Sequence, residues 1–291
     1  MSLAFEPLSP SIGAQVVGVD LSQPLSDAMF SAVRDGFHKY QILLFRDQKL
    51  AEDQHIAFSR RFGELEIHPA KQYLLPGHPE ILVLTNELKP DGSRVSIADG
   101  GIDWHSDLSF VREPSLGSLL YAIRVPDDPS VHQDTEWASM YHAYETLPAE
   151  TRKRLDGLRA VHVFDQDSNP RLPPSDTRFR DKHSADLKAR TPPVSHPLVR
   201  THPVTRRKAL YVSIRFTIGI ENLPKAEGDN LLDELFDHQA RLGGGYRHRW
   251  RAGDLMLWDN RCTNHRAVGS VVPQPHIRRM QRTTVRGDAP F

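Results

Sequence analysis

The sequence predicts an α+β fold, mainly β, built as a double-sheet jelly roll with helices packed outside. Three observations carry this. From Leu116 onward the apolar runs are short, β-rich and separated by long connections. Only three stretches show sustained helical spacing. The chain, 291 residues and 33.0 kDa with 38% hydrophobic residues, can bury about three quarters of its surface, so it needs no disulfide staples. We see no internal repeat and read residues 1–291 as a single domain.

Val16 to Leu21 reads as a first strand, because Val16, Val17 and Val19 are β-branched and polar turn residues follow. Ser26 is placed to cap a helix in which Met29, Phe30, Val33 and Phe37 recur at helical spacing. The run 41–45 (QILLF) reads as a short buried strand. A second amphipathic helix spans about 51–62, with Gly63 as its stop. Residues 81–85 form another strand. Further strands are expected at about 117–125, 134–140, 159–164, 197–202, 209–214, 246–251, 254–259, 264–269 and 278–286. One helix interrupts them at about 228–242, with Leu231, Leu232, Leu235 and Phe236 on one face. The polar, proline-containing stretch 165–195 has no periodicity and reads as a lid over an active site.

Composition narrows the function. Lys plus Arg equals Asp plus Glu at 37 each, so no basic excess is available for a nucleic-acid backbone. The single cysteine, Cys262, excludes an internal disulfide and a cysteine-clustered zinc site. The start, Met1-Ser-Leu-Ala-Phe-Glu-Pro, lacks the pattern of a secretion signal, and no apolar run approaches the ~20 residues of a membrane span. A cytoplasmic protein without membrane or nucleic-acid partners is expected.

A histidine followed two residues later by a carboxylate occurs three times, at His78/Glu80, His105/Asp107 and His132/Asp134, and about two would arise by chance. Context separates them. His105 and Asp107 lie in Asp-Trp-His-Ser-Asp-Leu-Ser-Phe, among apolar Trp104, Leu108 and Phe110. On a strand, residues i and i+2 share a face about 6.5–7 Å apart and can converge on one cation. His78/Glu80 lies in Pro-Gly-His-Pro-Glu, where two prolines favour a turn; His132/Asp134 follows Asp-Asp-Pro-Ser and reads as solvated charge. His265, after the strand leading through Trp258-Asp259-Asn260, is the best second histidine. Two histidines and one aspartate with open positions match non-haem Fe(II) rather than structural zinc. The plainer alternative is buried histidines hydrogen-bonded within a β core. Arg278 and Arg282, on one face of a strand with Arg279 turned away, would be costly to bury unpaired and suit anionic ligands.

The runs Trp104-His-Ser-Asp107, Asp134-Thr135, Trp258-Asp-Asn-Arg-x-x-x-His265-Arg and Arg278-x-x-x-Arg282-x-Thr resemble the taurine dioxygenase/2,4-dichlorophenoxyacetate dioxygenase family. Gly18-Val-Asp-Leu, His55-Ile-Ala-Phe-Ser-Arg-Arg-Phe-Gly63 and Gly287-Asp288 extend the resemblance over nearly the whole chain. It implies an Fe(II)- and 2-oxoglutarate-dependent dioxygenase with a double-stranded β-helix core, using O2 and releasing succinate and CO2. His105, Asp107 and His265 would hold iron, and Thr135 and Arg278 the distal carboxylate of 2-oxoglutarate. Arg282 would face the cosubstrate's other carboxylate or the substrate's anionic head. His68 matches a histidine that touches sulfonate in the taurine enzyme, and Phe164 and Phe216 fall where substrate-contacting aromatics occur.

The implied reaction is hydroxylation of a small anionic organic substrate, of sulfonate, sulfate ester or aryloxyalkanoate type, with C–S or C–O cleavage. Related enzymes are often dimers or tetramers, so the resemblance implies a homo-oligomer. Two departures stand out. Val131-His132-Gln133 replaces the two glycines usual before Asp-Thr, and Lys71 replaces a tyrosine, which points away from taurine itself. The competing readings are a catalytically silent anion-binding protein of the same fold and a zinc hydrolase.

Overall fold

Two strands, apolar except for a terminal aspartate, organise the molecule. Ile42–Phe45 (ILLF) and Leu255–Asp259 (LMLWD) pair antiparallel and are buried throughout, as strands covered on both faces must be. Alternation then divides their side chains. Leu43, Phe45, Leu255 and Leu257 join one cluster with Phe30, Val33, Phe37, Ile56 and Phe58 of the helices Asp27–Tyr40 and Glu52–Arg60. Ile42, Leu44, Met256 and Trp258 join another with Trp137, Trp250 and Met280. Each such buried side chain contributes roughly 1.5–3 kcal/mol. The computed structural model describes residues 3–68, 71–93, 95–96, 101–164, 169–172 and 191–291.

These strands belong to an eight-stranded sheet. Its order is Ala4–Pro7, Ala14–Val17, Ile42–Phe45, Leu255–Asp259, Gly117–Arg124, Arg279–Val285, His78–Thr85 and Leu74–Leu75. Only Ala14–Val17 with Ile42–Phe45 is parallel. A three-stranded sheet orders Tyr246–His248, Asp134–Ser139 and Thr263–Val268. A second three-stranded sheet orders Thr217–Ile220, Arg159–His162 and Val194–Pro197, and a ribbon joins Val199–Thr201 to Lys208–Leu210. The helix Lys225–Leu242 closes a third apolar cluster through Leu231, Leu232, Leu235 and Phe236. The fold is mainly β with few helices.

Differences from expectation have local causes. Gln41 is not strand but the cap of the first helix: its φ is +68° and its N–H donates to Phe37 O. The strand expected at Val16 to Leu21 is Ala14–Val17, and it pairs with an earlier strand, Ala4–Pro7, a segment without β-branched residues. The expected strand 197–202 is split into two at Leu198. His78 and Glu80 sit in the strand His78–Thr85, not a turn; they pair with Asp53 and Arg60. His132/Asp134 is not solvated charge, because Asp134 is 4% exposed. The helices Met140–Glu145 and Ala149–Leu155 and the strand Thr217–Ile220 were not anticipated. Of the expected lid, residues 165–168 and 173–190 lie outside the described residues. Asn169 donates to Ile214 O and Arg215 O, and Arg171 pairs with Asp233 and Asp229 of the long helix.

Candidate active site

His105 and His265 meet through an isolated antiparallel bridge, donating to each other's carbonyls at 3.0 and 2.8 Å. His265 is placed by its strand, where it lies opposite Trp137, and its ring packs 4.9 Å from that of Trp258. The His105 ring is oriented by Nδ1, which donates to Asp103 O at 2.8 Å and so turns Nε2 inward. The strand pleat expected to bring His105 and Asp107 onto one face is not what does so. Asp107 begins a turn after the bridge, and Leu108 takes a left-handed φ of +57°.

Asn260 fixes that turn. Its Oδ1 accepts from Asp107 N at 3.3 Å and from Trp258 Nε1 at 2.9 Å. Its Nδ2 donates to Ser115 Oγ and Ser118 Oγ. Ser118 Oγ in turn donates to Asp107 Oδ2 at 2.8 Å, and Arg282 Nη1 donates to Oδ1 at 3.0 Å. Each Asp107 oxygen then lies 3.9 Å from one imidazole Nε2. The three buried side chains offer ligand atoms all within 4.8 Å of one another.

The charges suit a cation. Burial, reinforced by His265 and Arg215, pushes His105 well below the ordinary imidazole value. Burial also brings His265 down to about 4, against the pull of Asp107. For Asp107 burial acts upward, but Arg282 and the two histidines hold the carboxyl well below the usual carboxylate range. Neutral imidazoles beside an ionised carboxylate are what metal binding requires. Buried Nδ1 of His265 and Nε of Arg278 and Arg282 have no hydrogen-bond partner among the described residues. Unpartnered buried atoms call for an explanation, and a ligand at the triad supplies one for Arg282, which already reaches Asp107. The donor set, two imidazoles and one carboxylate, fits Fe(II). A second buried group, His202, Asp259 and Cys262, does not. Arg261 grips Asp259 through both oxygens, His202 donates to it while accepting from Val204 N and Thr205 N, and burial pushes the Cys262 thiol up, which disfavours the thiolate a metal would need.

On one side of the triad, Phe216 lies edge-on to His105 at 5.9 Å and Phe110 bridges Phe216 to Phe164 at 5.0 and 4.6 Å. His68 is near too: burial drives it down to about 4, with Arg282 acting in the same direction and Asp107 against. Arg215 belongs here as well. Burial lowers its pKa, and Asp103 and Asp107 oppose that shift. On the strand paired with that of His265, Trp250 Nε1 donates to Thr135 Oγ1 at 2.9 Å, which leaves the hydroxyl proton free for an anion. Arg278 precedes the strand Arg279–Val285 rather than lying in it, and its N–H donates to Asn86 Oδ1. Arg279 turns away to Glu87, as expected. A cavity of about 460 Å³ is lined by Gln133, Trp250 and Arg278, among others.

The family model described as "Taurine catabolism dioxygenase TauD, TfdA family" matches residues 4–284. The chain belongs to this family. Among TauD/TfdA relatives, the alpha-ketoglutarate-dependent 2,4-dichlorophenoxyacetate dioxygenase of Cupriavidus pinatubonensis is 35% identical, with 99% of each chain covered. The alpha-ketoglutarate-dependent sulfate ester dioxygenase of Pseudomonas putida is 32% identical over 100% of this chain and 91% of its own. The crystal structure of AAD-2 in complex with Mn(II) and N-oxalylglycine superposes with a TM-score of 0.80 at 32% identity, covering 100% of this chain and 99% of that one. The chain is thus a 2-oxoglutarate-dependent non-haem iron dioxygenase, with Fe(II), 2-oxoglutarate and O2 as cofactor and cosubstrates. The silent anion-binding alternative draws no support from these TauD/TfdA relatives. Among the described residues, no helix is long and apolar enough to cross a membrane.

Sequence reasoning missed Ser118, Asn260, Arg215 and Trp250. Asn260 stood inside a quoted motif and could have been found there. The others are single polar or aromatic residues whose role depends on a partner distant in the chain.

Proposed function

We propose that His105, Asp107 and His265 hold the iron, that Thr135 and Arg278 take the distal carboxylate of 2-oxoglutarate, and that Arg282 with His68 and Arg215 receives the anionic head of the substrate. The observation that carries this is the closure of three ligand atoms within 4.8 Å, beside Arg282, whose Nε has no hydrogen-bond partner among the described residues. Iron, when bound, supplies the redox chemistry that couples decarboxylation of 2-oxoglutarate to hydroxylation of a C–H bond. The protein's own part is positional. Ser118 and Arg282 fix the Asp107 carboxylate, and the Asp103 carbonyl fixes the His105 tautomer. Phe110, Phe164 and Phe216 exclude water and give the substrate's carbon frame an apolar wall. Thr135, with one lone pair taken by Trp250, donates its proton to an incoming carboxylate.

The relatives' names favour a substrate of sulfonate, sulfate ester or aryloxyalkanoate type. Hydroxylation at a carbon bearing sulfonate or an ether or ester oxygen would end in C–S or C–O cleavage. We carry forward the double-stranded β-helix core in a single domain, the 165–195 lid, a cytoplasmic location and a dimer or tetramer as expectations. The test measures succinate formed and oxygen consumed over a panel of sulfonates, sulfate esters and aryloxy acids. Coupled turnover with one class supports the reading; iron binding without coupled turnover of any of them overturns it.

A further inference from the structure

We infer that Arg266, laid over the Trp104 ring and held there by Glu136, is a positioning residue that latches the two histidine-bearing segments together on the face turned away from the iron site. The inference rests on the assignment of His105 and His265 to iron. Trp104 and Arg266 each stand next to one of those histidines in the chain.

The segment that carries His105 lies against the edge of the sheet formed by Tyr246–His248, Asp134–Ser139 and Thr263–Val268, and it joins that edge through a single isolated bridge. With His105 opposite His265, a regular antiparallel ladder would set Trp104 opposite Arg266 and have Ala267 N donate to Asp103 O. Ala267 N donates instead to Gly101 O at 2.7 Å, and Asp103 O accepts from His105 Nδ1 at 2.8 Å. The ladder thus gives up its next rung to the ring that must be oriented. Main-chain pairing turns irregular just where a ligand needs a fixed place.

Side chains supply the missing rung. Successive residues of an extended segment point to opposite faces, so Trp104 and Arg266 meet outside the bridge while His105 and His265 meet inside it. Arg266 Cζ lies 4.7 Å from the centroid of the Trp104 ring, in reach of a cation–π attraction. Arg266 Nε donates to Glu136 Oε2 at 2.9 Å, and Nη2 lies 2.9 Å from the same oxygen. Glu136 is the cross-strand partner of Arg266, as Trp137 is of His265, so the strand Asp134–Ser139 backs both pairs. A Cβ at Gly244 would overlap the Glu136 carboxylate; glycine leaves that carboxylate room to reach Arg266. The Arg266 side chain is 40% exposed and Trp104 is half-buried, so either can be changed without opening the core.

The test is equilibrium titration of the full chain with Mn(II), alongside thermal unfolding of the metal-free chain. Arg266→Gln and Trp104→Leu are each expected to weaken Mn(II) about fivefold. Arg266→Lys, which keeps a cation over the ring, stays within about twofold of the unaltered chain. Arg266→Gln combined with Trp104→Leu loses no more than the larger single loss, because the two residues form one contact. Unchanged Mn(II) affinity beside a lowered melting temperature would make the pair structural only and overturns the inference. So does an additive loss in the double variant, or failure of lysine to rescue. His265→Ala separates the levels. If it abolishes Mn(II) binding while the latch variants leave it intact, only the latch is wrong. If it leaves Mn(II) binding intact, the assignment of His265 falls and the latch with it.

Discussion

The backbones of His105 and His265 pair with each other directly, each N–H donating to the other's carbonyl. Two of the proposed iron ligands are thus joined before any metal arrives. The main-chain pair brings the two side chains together, and their rings lie 4.2 Å apart between centroids. The third ligand has no such tie. Asp107 depends on Asn260, Ser118 and Arg282 for its place, so side-chain substitutions act on the site mainly through the carboxylate.

Asn260→Ala removes the side-chain acceptor for Asp107 N and a donor to Ser115 and Ser118. Loss of an outer partner of a ligand typically lowers metal affinity about 10–100-fold, and a loss in that range is expected for Mn(II) or Fe(II) by equilibrium titration. Asp107→Ala should lower it further while leaving the fold in place by circular dichroism. Unchanged metal affinity in both would remove Asp107 from the ligand set.

Arg215 is assigned to the substrate side because it acts on His105 and His265 while Asp103 and Asp107 offset its own desolvation. Arg215→Gln should raise KM for the anionic substrate about tenfold, the usual scale for one lost charge-assisted contact, and leave KM for 2-oxoglutarate within about twofold. Steady-state kinetics in each cosubstrate decide it. A rise confined to 2-oxoglutarate would move Arg215 to the other side of the iron.

Much of the frame was legible because burial on both faces leaves an unambiguous trace, as in ILLF and LMLW. Helical spacing similarly located three helices, and Ser26 caps the first of them through Met29 N. The short helices Met140–Glu145 and Ala149–Leu155, 6 and 7 residues long, carry too few turns for periodicity to register. The convergence of His105 with Asp107 was anticipated for a reason that the structure replaces. A strand pleat was expected, but a bridge, a turn and a left-handed Leu108 do the placing. Backbone signs of φ at non-glycine residues leave little mark in a sequence. The His132/Asp134 pair read as solvated because its loop is polar, and only the tertiary approach of Arg247 makes it a buried clamp.

Two buried histidines predict acid sensitivity of the fold. Burial, aided by His196, takes His162 down to about 3, and burial takes His196 down to about 4; their rings are 5.3 Å apart. Both folded values lie below the free value of 6.5, so the folded state favours the neutral ring. The stabilisation is complete above about pH 6.5 and is lost as pH falls toward 4. The loss is about 1.4 kcal/mol per pH unit for each such histidine. Urea unfolding at pH 6.5 and 5 should show this loss, and His162→Gln should shrink it by about 2 kcal/mol. An unaltered pH slope in the variant would show that His162 does not carry it.

Gly101 is the last point at which the backbone constrains the metal site. Its φ is +82°, and a Cβ there would lie 2.8 Å from His105 Cε1 and 3.4 Å from Nε2. The imidazole has little room to yield, since Nδ1 is bonded to Asp103 O and Phe216 packs against the ring. The Gly101 carbonyl also accepts from Ala267 N at 2.7 Å, which ties it to the strand that carries His265. Gly101→Ala therefore combines left-handed strain of about 1 kcal/mol or more with a push on a metal-facing ring. Expected are a lower melting temperature and Mn(II) affinity reduced at least tenfold, for a displacement costing about 1.4 kcal/mol. The two effects separate in Gly101→Asn: asparagine tolerates the left-handed backbone, so it should recover part of the stability while the metal defect remains. Full metal affinity in either variant would mean that His105 moves aside freely and is not held as the bridge implies.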